Sequence, residues 1–144
     1  MMSETDEIHI VDLCETIARK AHEGQTRHRG ADKGKSYIIH PERMAGNADS
    51  YITEAICWLH DTLEDTDLTK ECLVGLGVPE AVVYRVMILS KKKGEGYLDF
   101  ILRVKLDALA TKVKILDIKD NLQSLESCCL RDKYLMALYI LGYK

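Results

Sequence analysis

Apolar residues at Val11, Cys14, Ile17, Ala18 and Ala21 recur three and four positions apart, and this spacing predicts a first helix that ends near Gly24. Pro41 suits the first position of a short second helix, where its missing N–H is no loss. The stretch Thr53-Glu54-Ala55-Ile56-Cys57-Trp58-Leu59 contains neither Pro nor Gly, so a third helix is expected to run on through His60 to Asp65. Thr66-Asp67 can cap a short segment from Leu68 to about Leu76, and Gly77-Val78-Pro79 separates it from a helix over Glu80 to Ser90. The run Lys91-Lys92-Lys93-Gly94-Glu95-Gly96 reads as a flexible, charged loop. A long helical region follows from Tyr97 to about Glu126, bent near Leu106-Asp107, and a last helix from Arg131 to Leu141. Tyr134, Leu138 and Leu141 fall on one face of that helix, which is expected to cover the core, and Trp58 is expected inside it. The pattern is all-α, with no repeat, low-complexity tract or dividing linker.

The candidate chemistry lies in His60-Asp61-Thr62-Leu63-Glu64-Asp65. If one helix carries the run, His60 faces Glu64 and Asp61 faces Asp65, since positions four apart share a face. His60 and Asp61, about 100° apart, could then share one cation, with two carboxylates beside it as an acid/base pair. A single His-Asp pair is common on surfaces and at caps. His40, before Pro41, and Asp117, at the end of Lys112-Val113-Lys114-Ile115-Leu116-Asp117, add two candidates that each follow a mostly apolar run. Each has an ordinary reading too: His40 could close a turn, and Asp117 could pair with Lys114.

The order His, His-Asp, Glu-Asp, Asp resembles the HD superfamily of metal-dependent phosphohydrolases. Ala21-His22-Glu23-Gly24-Gln25-Thr26-Arg27, Tyr37-Ile38-Ile39-His40-Pro41, Leu59 to Thr66, and Val113 to Asp117 with Asn121 resemble, more narrowly, the hydrolase domain of RelA/SpoT-type alarmone enzymes. These motifs lie within about residues 14–126. The resemblance implies a compact HD-domain helical bundle and makes His40, His60, Asp61 and Asp117 the metal ligands. It makes Glu64 and Asp65 the catalytic carboxylates, and Arg27, Asn121 and Ser124 nucleotide contacts. It implies Mn²⁺, although a mixed imidazole and carboxylate site accepts other divalent transition metals. The implied reaction is removal of the 3′-pyrophosphate of (p)ppGpp, the stringent-response alarmone. The chain departs from the pattern in about four extra residues between Arg27 and His40, in Ser36 where proline is common, and in Ile118-Lys119-Asp120 where Arg-Leu-His is usual. It looks more like the small single-domain bacterial members than the long bifunctional ones.

Composition narrows this further. A length of 144 residues suits one domain over 1–144, and 47% hydrophobic residues can supply one core. A formal net charge of −3 offers no general attraction to nucleic acid. Locally, Arg19, Lys20, Arg27, Arg29, Lys33, Lys35 and Arg43 outnumber Glu23, Asp32 and Glu42, which suits a small polyphosphate; Lys33 and Lys35 are therefore added to the substrate contacts. Cys14, Cys57, Cys72, Cys128 and Cys129 are odd in number and form no Cys-x-x-Cys pair, which argues for reduced thiols and a cytoplasmic location. The acidic N-terminus lacks signal-peptide character, and no apolar run approaches the roughly 20 residues that span a bilayer. The chemistry leaves two alternatives: another nucleotide or the 2′-phosphate of NADPH as substrate, or a nucleotide-binding sensor or partner protein without catalysis. Oligomeric state is left open.

Overall fold

The computed structural model describes residues 2–125 and 129–143; Glu126, Ser127 and Cys128 lie outside the described residues. Nine α-helices follow one another among the described residues: α1 Glu4–Ala21, α2 Ile39–Gly46, α3 Tyr51–Leu59, α4 Thr62–Asp65, α5 Lys70–Gly75, α6 Glu80–Ile88, α7 Tyr97–Lys105, α8 Ala108–Ser124 and α9 Cys129–Ile140. A 3₁₀ turn spans Gly30–Asp32, and the only pairing of strand type among the described residues is an isolated antiparallel bridge between Thr26 and Ser36. The all-α expectation therefore holds.

Side chains set the starts of four helices. Ser3 and Asp6 form a reciprocal capping box on α1. Ser50, Thr69 and Asp107 each accept the amide hydrogen three residues on, opening α3, α5 and α8. Asp107 thus divides the long region after Tyr97 at the expected bend. The expected cap at Thr66-Asp67 moves to Thr69, because the Thr66 hydroxyl instead accepts from Leu68 N at 3.1 Å in a local turn. Pro41 is the third residue of α2 rather than the first; the opening amides of a helix have no intrahelical acceptor, so a proline is tolerated there too. The loop after α6 is pinned rather than free. Arg103 donates to the carbonyls of Ile88 and Ser90, and Glu95 accepts from both Arg103 and Lys92 N.

Helix α3 is the centre of the bundle and packs against α1, α2, α6 and α8. Ala55, Ile56, Cys57 and Leu59 are fully buried, and Trp58 is nearly so, with the Arg19 guanidinium 5.1 Å above its ring. Leu73, Ile101, Val104, Val113 and Ile118 complete the interior, and Leu138 of α9 and Leu141 just after it close it as expected. Cys14 and Cys57 are buried thiols, whereas Cys72 and Cys129 are exposed.

The third helix departs from expectation in a way that creates the site. It stops at Leu59, and His60 and Asp61 form a turn before the short α4. His60 Nδ1 faces the Cys57 carbonyl at 2.9 Å, and the Thr62 hydroxyl donates to the Leu59 carbonyl at 2.9 Å. These bonds satisfy carbonyls at the helix end and let Asp61 adopt φ −118°, ψ 9°. His60 and Asp61 therefore do not share a continuous helix with Glu64 and Asp65.

The segment between α1 and α2 doubles back: Arg27 N–H donates to Lys35 O at 2.8 Å, and Gly34 N–H to Arg27 O at 2.9 Å. At its tip Gly30 has φ +66°, and a Cβ there would lie 1.8 Å from the Ser124 carbonyl oxygen at the end of α8. Gly30→Ala combines a left-handed backbone with a main-chain collision. It is expected to lower stability by about 1–3 kcal/mol, visible as a lower denaturant midpoint. Gly34→Ala, equally left-handed but with nothing within 4 Å of the added carbon, should cost less.

Candidate functional site

Three segments deliver four buried side chains to one place at the end of α3. His40 comes from the first turn of α2, His60 and Asp61 from the turn after α3, and Asp117 from the middle of α8. Potential ligand atoms of His40, His60 and Asp61 all lie within 4.8 Å of one another. Asp117 Oδ1 joins them, 2.8 Å from His40 Nε2 and 3.6 Å from His60 Nε2. All four expected metal-binding positions thus converge, and the ordinary reading of Asp117 is true as well, since its Oδ2 accepts from Lys114 Nζ at 2.7 Å.

The donor set fits a cation. The Cys57 carbonyl can only accept, so His60 Nδ1 carries a hydrogen, and Nε2, which faces Asp61 and Asp117, is the nitrogen that the neutral ring would offer to a cation. Asp61 Oδ1 is buried without a hydrogen-bond partner, although it lies 3.2 Å from His22 Nε2, itself unpartnered. An orphaned carboxylate oxygen beside two imidazoles is what a divalent ion of mixed N/O preference would satisfy.

A second layer holds these groups. His40 Nδ1 lies 2.6 Å from Asp120 Oδ2, and Arg43 donates to both Asp120 oxygens at 2.7 and 3.0 Å. Tyr37 donates its hydroxyl to Asp61 Oδ2, and His22 is oriented by Gln25 Oε1 at 2.7 Å. Asp120, Tyr37 and His22 were not singled out as site residues by sequence reasoning. Asp120 was recoverable, since Asp117, Asp120 and Asn121 are three and four apart and share a face of α8.

Without a cation, charge is balanced by coupling. Burial works against a charged His60 ring, but Asp61 and Asp117 outweigh it and lift its pKa to about 9. Burial likewise opposes ionisation of Asp61, yet the neighbouring histidines hold it below the usual carboxylate range; Lys114 and the two histidines do the same for Asp117. Asp65 goes the other way: loss of solvation raises it, and Asp61 and Glu64 add repulsion. Glu64 is exposed and accepts from Lys91 N–H, which brings the lysine loop to α4.

A cleft of about 230 Å³ adjoins this cluster, lined by Arg27, His28, Arg29, Tyr37, Asn121, Ser124 and Tyr134 among others. Tyr37 belongs to both, since its ring forms the cleft wall and its hydroxyl holds Asp61. Asn121 bridges them as well, accepting from Arg27 at 2.8 Å and donating to Asp117 at 3.0 Å. Arg27, Asn121 and Ser124 thus line one surface, and the Arg27 guanidinium lies 5.6 Å above the Tyr37 ring. Lys33 and Lys35 do not line it; both are exposed, and Lys35 Nζ lies 3.5 Å from Asp32. Arg19 and Arg43 are also committed elsewhere, to Glu15 and Glu42 and to Asp32 and Asp120 respectively. Within the cleft the basic side chains are Arg27 and Arg29, with His28 between them.

The chain is 34% identical over 125 residues to a guanosine-3′,5′-bis(diphosphate) 3′-pyrophosphohydrolase of Vibrio cholerae, matching 76% of this chain and 17% of that protein. It is 31% identical over 136 residues to the bifunctional (p)ppGpp synthase/hydrolase SpoT of Escherichia coli, covering 85% of this chain and 19% of that one. A solved structure described as a metazoan ortholog of SpoT that hydrolyzes ppGpp superposes with a TM-score of 0.70 at 19% identity, covering 98% of this chain and 85% of that chain. The chain resembles the HD-type hydrolase domain of SpoT enzymes. It spans under a fifth of the length of the curated relatives it matches, and no protein-family model matches it. The helical bundle is the fold shared with the metazoan ortholog. No described helix of this domain is long and apolar enough to cross a membrane.

The charge balance sets a pH dependence for the metal-free domain. His60 is raised above its unfolded pKa of about 6.5, so its contribution to stability is complete below that value and is lost as pH rises through about 9. Asp61 and Asp117 are depressed, so their contribution is present above about 4 and is lost on acidification. Thermal denaturation in chelator should show a melting temperature that falls from pH 6.5 to 9. Ligation needs the imidazole neutral, so the rise in melting temperature on adding a divalent cation should grow over the same range.

Proposed function

We propose that this domain is a Mn²⁺-dependent pyrophosphohydrolase that removes the 3′-pyrophosphate of (p)ppGpp, giving GDP or GTP and pyrophosphate. The observation that carries the reading is the cluster of His40, His60, Asp61 and Asp117 joined through Tyr37 and Asn121 to a cleft with an arginine over an aromatic ring. The names of the curated relatives point the same way. The cleft is smaller than the roughly 300–1,000 Å³ of sites that enclose drug-sized ligands, so it suits one part of a nucleotide, with the phosphates reaching out to the metal cluster.

His40, His60, Asp61 and Asp117 would hold the ion. An ion bound there would supply Lewis acidity toward a phosphoryl oxygen and toward water. The rest falls to the protein. His60 keeps its Nδ1 hydrogen on Cys57 O and offers Nε2; His40 keeps Nδ1–H on Asp120 and offers Nε2. Tyr37 and His22 orient Asp61 from two sides. Asp65, with its raised pKa, is suited to protonate the leaving 3′-oxygen, while Glu64 takes a proton from the attacking water. Arg27 and Tyr37 would clasp the base, and Asn121 would signal its position to Asp117. Buried reduced thiols and a net negative charge fit a cytoplasmic enzyme acting on a small nucleotide rather than on nucleic acid.

The test is release of pyrophosphate and orthophosphate from ppGpp, NADPH and simple nucleotides, with Mn²⁺ and with chelator. Pyrophosphate from ppGpp, absent with chelator, is the expected result; orthophosphate from NADPH alone would transfer the chemistry to the 2′-phosphate. Asp61→Ala and His60→Ala should abolish turnover with the fold retained by circular dichroism. Glu64→Gln should lower kcat by about 10²–10⁴-fold with a smaller change in KM; a loss below about tenfold would remove Glu64 from the acid/base role.

A further inference from the structure

The segment that lengthens the connection between Arg27 and His40 is tied to the metal cluster by a continuous chain of charged contacts. Asp32, in the 3₁₀ turn and only 5% exposed, accepts from Arg43 NH2 at 2.5 Å. The same guanidinium grips both oxygens of buried Asp120, and Asp120 in turn faces His40 Nδ1. The opposite ring nitrogen of His40 is the one directed at Asp117. Just before the turn lie His28 and Arg29, which line the cleft, and Gly30 seats the turn against the end of α8.

We infer that Asp120 is a positioning residue for the metal ligand His40, and that Arg43 and Asp32 extend this link so that ion binding and the ordering of the His28–Arg29 cleft wall are coupled. This rests on the metal-dependent reading above. The physical basis is that His40 can turn Nε2 toward a cation only if something fixes its ring and its Nδ1 hydrogen, and a carboxylate does both. That carboxylate is buried, so it requires its own counter-charge; Arg43 provides it with a two-pronged grip that a lysine could not reproduce. Arg43 has donors left over, and the turn supplies their acceptor in Asp32. Fixing His40 therefore fixes Arg43, and fixing Arg43 draws the turn onto α2. Loop wall and metal ligand become ordered together, and the linkage is reciprocal.

The test separates the two halves of the link and does not rely on turnover. Mn²⁺ affinity is measured by titration, and amide hydrogen exchange of peptides covering residues 28–35 is measured with Mn²⁺ and with chelator. In the wild type, Mn²⁺ should slow exchange across 28–35. Asp120→Asn should weaken Mn²⁺ about 10–100-fold. Asp32→Asn, which leaves the His40 and Asp120 contact in place, should lose the metal-dependent protection and lose Mn²⁺ affinity only by the factor by which Mn²⁺ slows exchange across 28–35 in the wild type. Arg43→Lys gives a second break in the middle of the chain and should lose the protection at saturating Mn²⁺. Unchanged metal affinity in Asp120→Asn, or full protection in both Asp32→Asn and Arg43→Lys, would overturn the coupling while leaving the proposed activity standing. A wild type that binds no Mn²⁺ would overturn both.

Discussion

Burying several carboxylates at the centre of a small helical bundle is the constraint on which the structure turns. Asp61, Asp117 and Asp120 are each less than a tenth exposed, and an unpaired charge at such depth would cost several kcal/mol. Each is therefore provided for. Asp117 has Lys114, His40 and Asn121; Asp120 has His40 and Arg43; Asp61 has Tyr37 with two histidines close by. Breaking any one of these would leave a partner stranded, so the network keeps α2, α8 and the end of α3 in a fixed relation. A cluster held this firmly by its surroundings is ready to accept a cation with little rearrangement. The oxygen left without a hydrogen bond, Asp61 Oδ1, is where that acceptance is most strongly favoured.

The same network explains why the cleft wall and the His/Asp cluster are hard to separate. Tyr37 and Asn121 each touch both, so a ligand pressing on Arg27 acts on groups that orient Asp61 and Asp117. Recognition of one end of a substrate can then be felt where its phosphates would react, which is how remote binding contributes to catalysis. The lysine loop approaches from the other side, where its backbone meets Glu64. The Glu64 carboxylate of α4 is thus held by a contact separate from the cation cluster.

Much of this was legible in the sequence because it depended on local pattern. The 3.6-residue spacing marked α1 and α9, Gly77-Val78-Pro79 marked the start of α6, Asp107 marked the boundary between α7 and α8, and the four residues that the family resemblance offers as ligands are the ones the fold brings together. The break after Leu59 was not readable, since Thr53 to Asp65 has no residue that stops a helix. It is made by His60 and Thr62 bonding back to carbonyls, and by Asp61 finding Tyr37 on a distant segment. Basic residues misled for a related reason. Arg43 and Lys35 look alike as charges along the chain, but one is locked in a buried network and the other is solvated beside Asp32, and only the fold distinguishes them. Asp120 could have been found from its position on the same face as Asp117, whereas the link onward to Asp32 required the three-dimensional path of the loop.

The central claim is that His40 and His60, from separate segments of the chain, bind one ion together. The most direct measurement is pulsed electron paramagnetic resonance of the Mn²⁺-loaded protein, read for nitrogen couplings from coordinated imidazole. The account predicts two imidazole nitrogens on one Mn²⁺ per chain, reduced to one in His40→Ala. A loaded ion with no imidazole coupling, or with couplings unchanged in that variant, would contradict it.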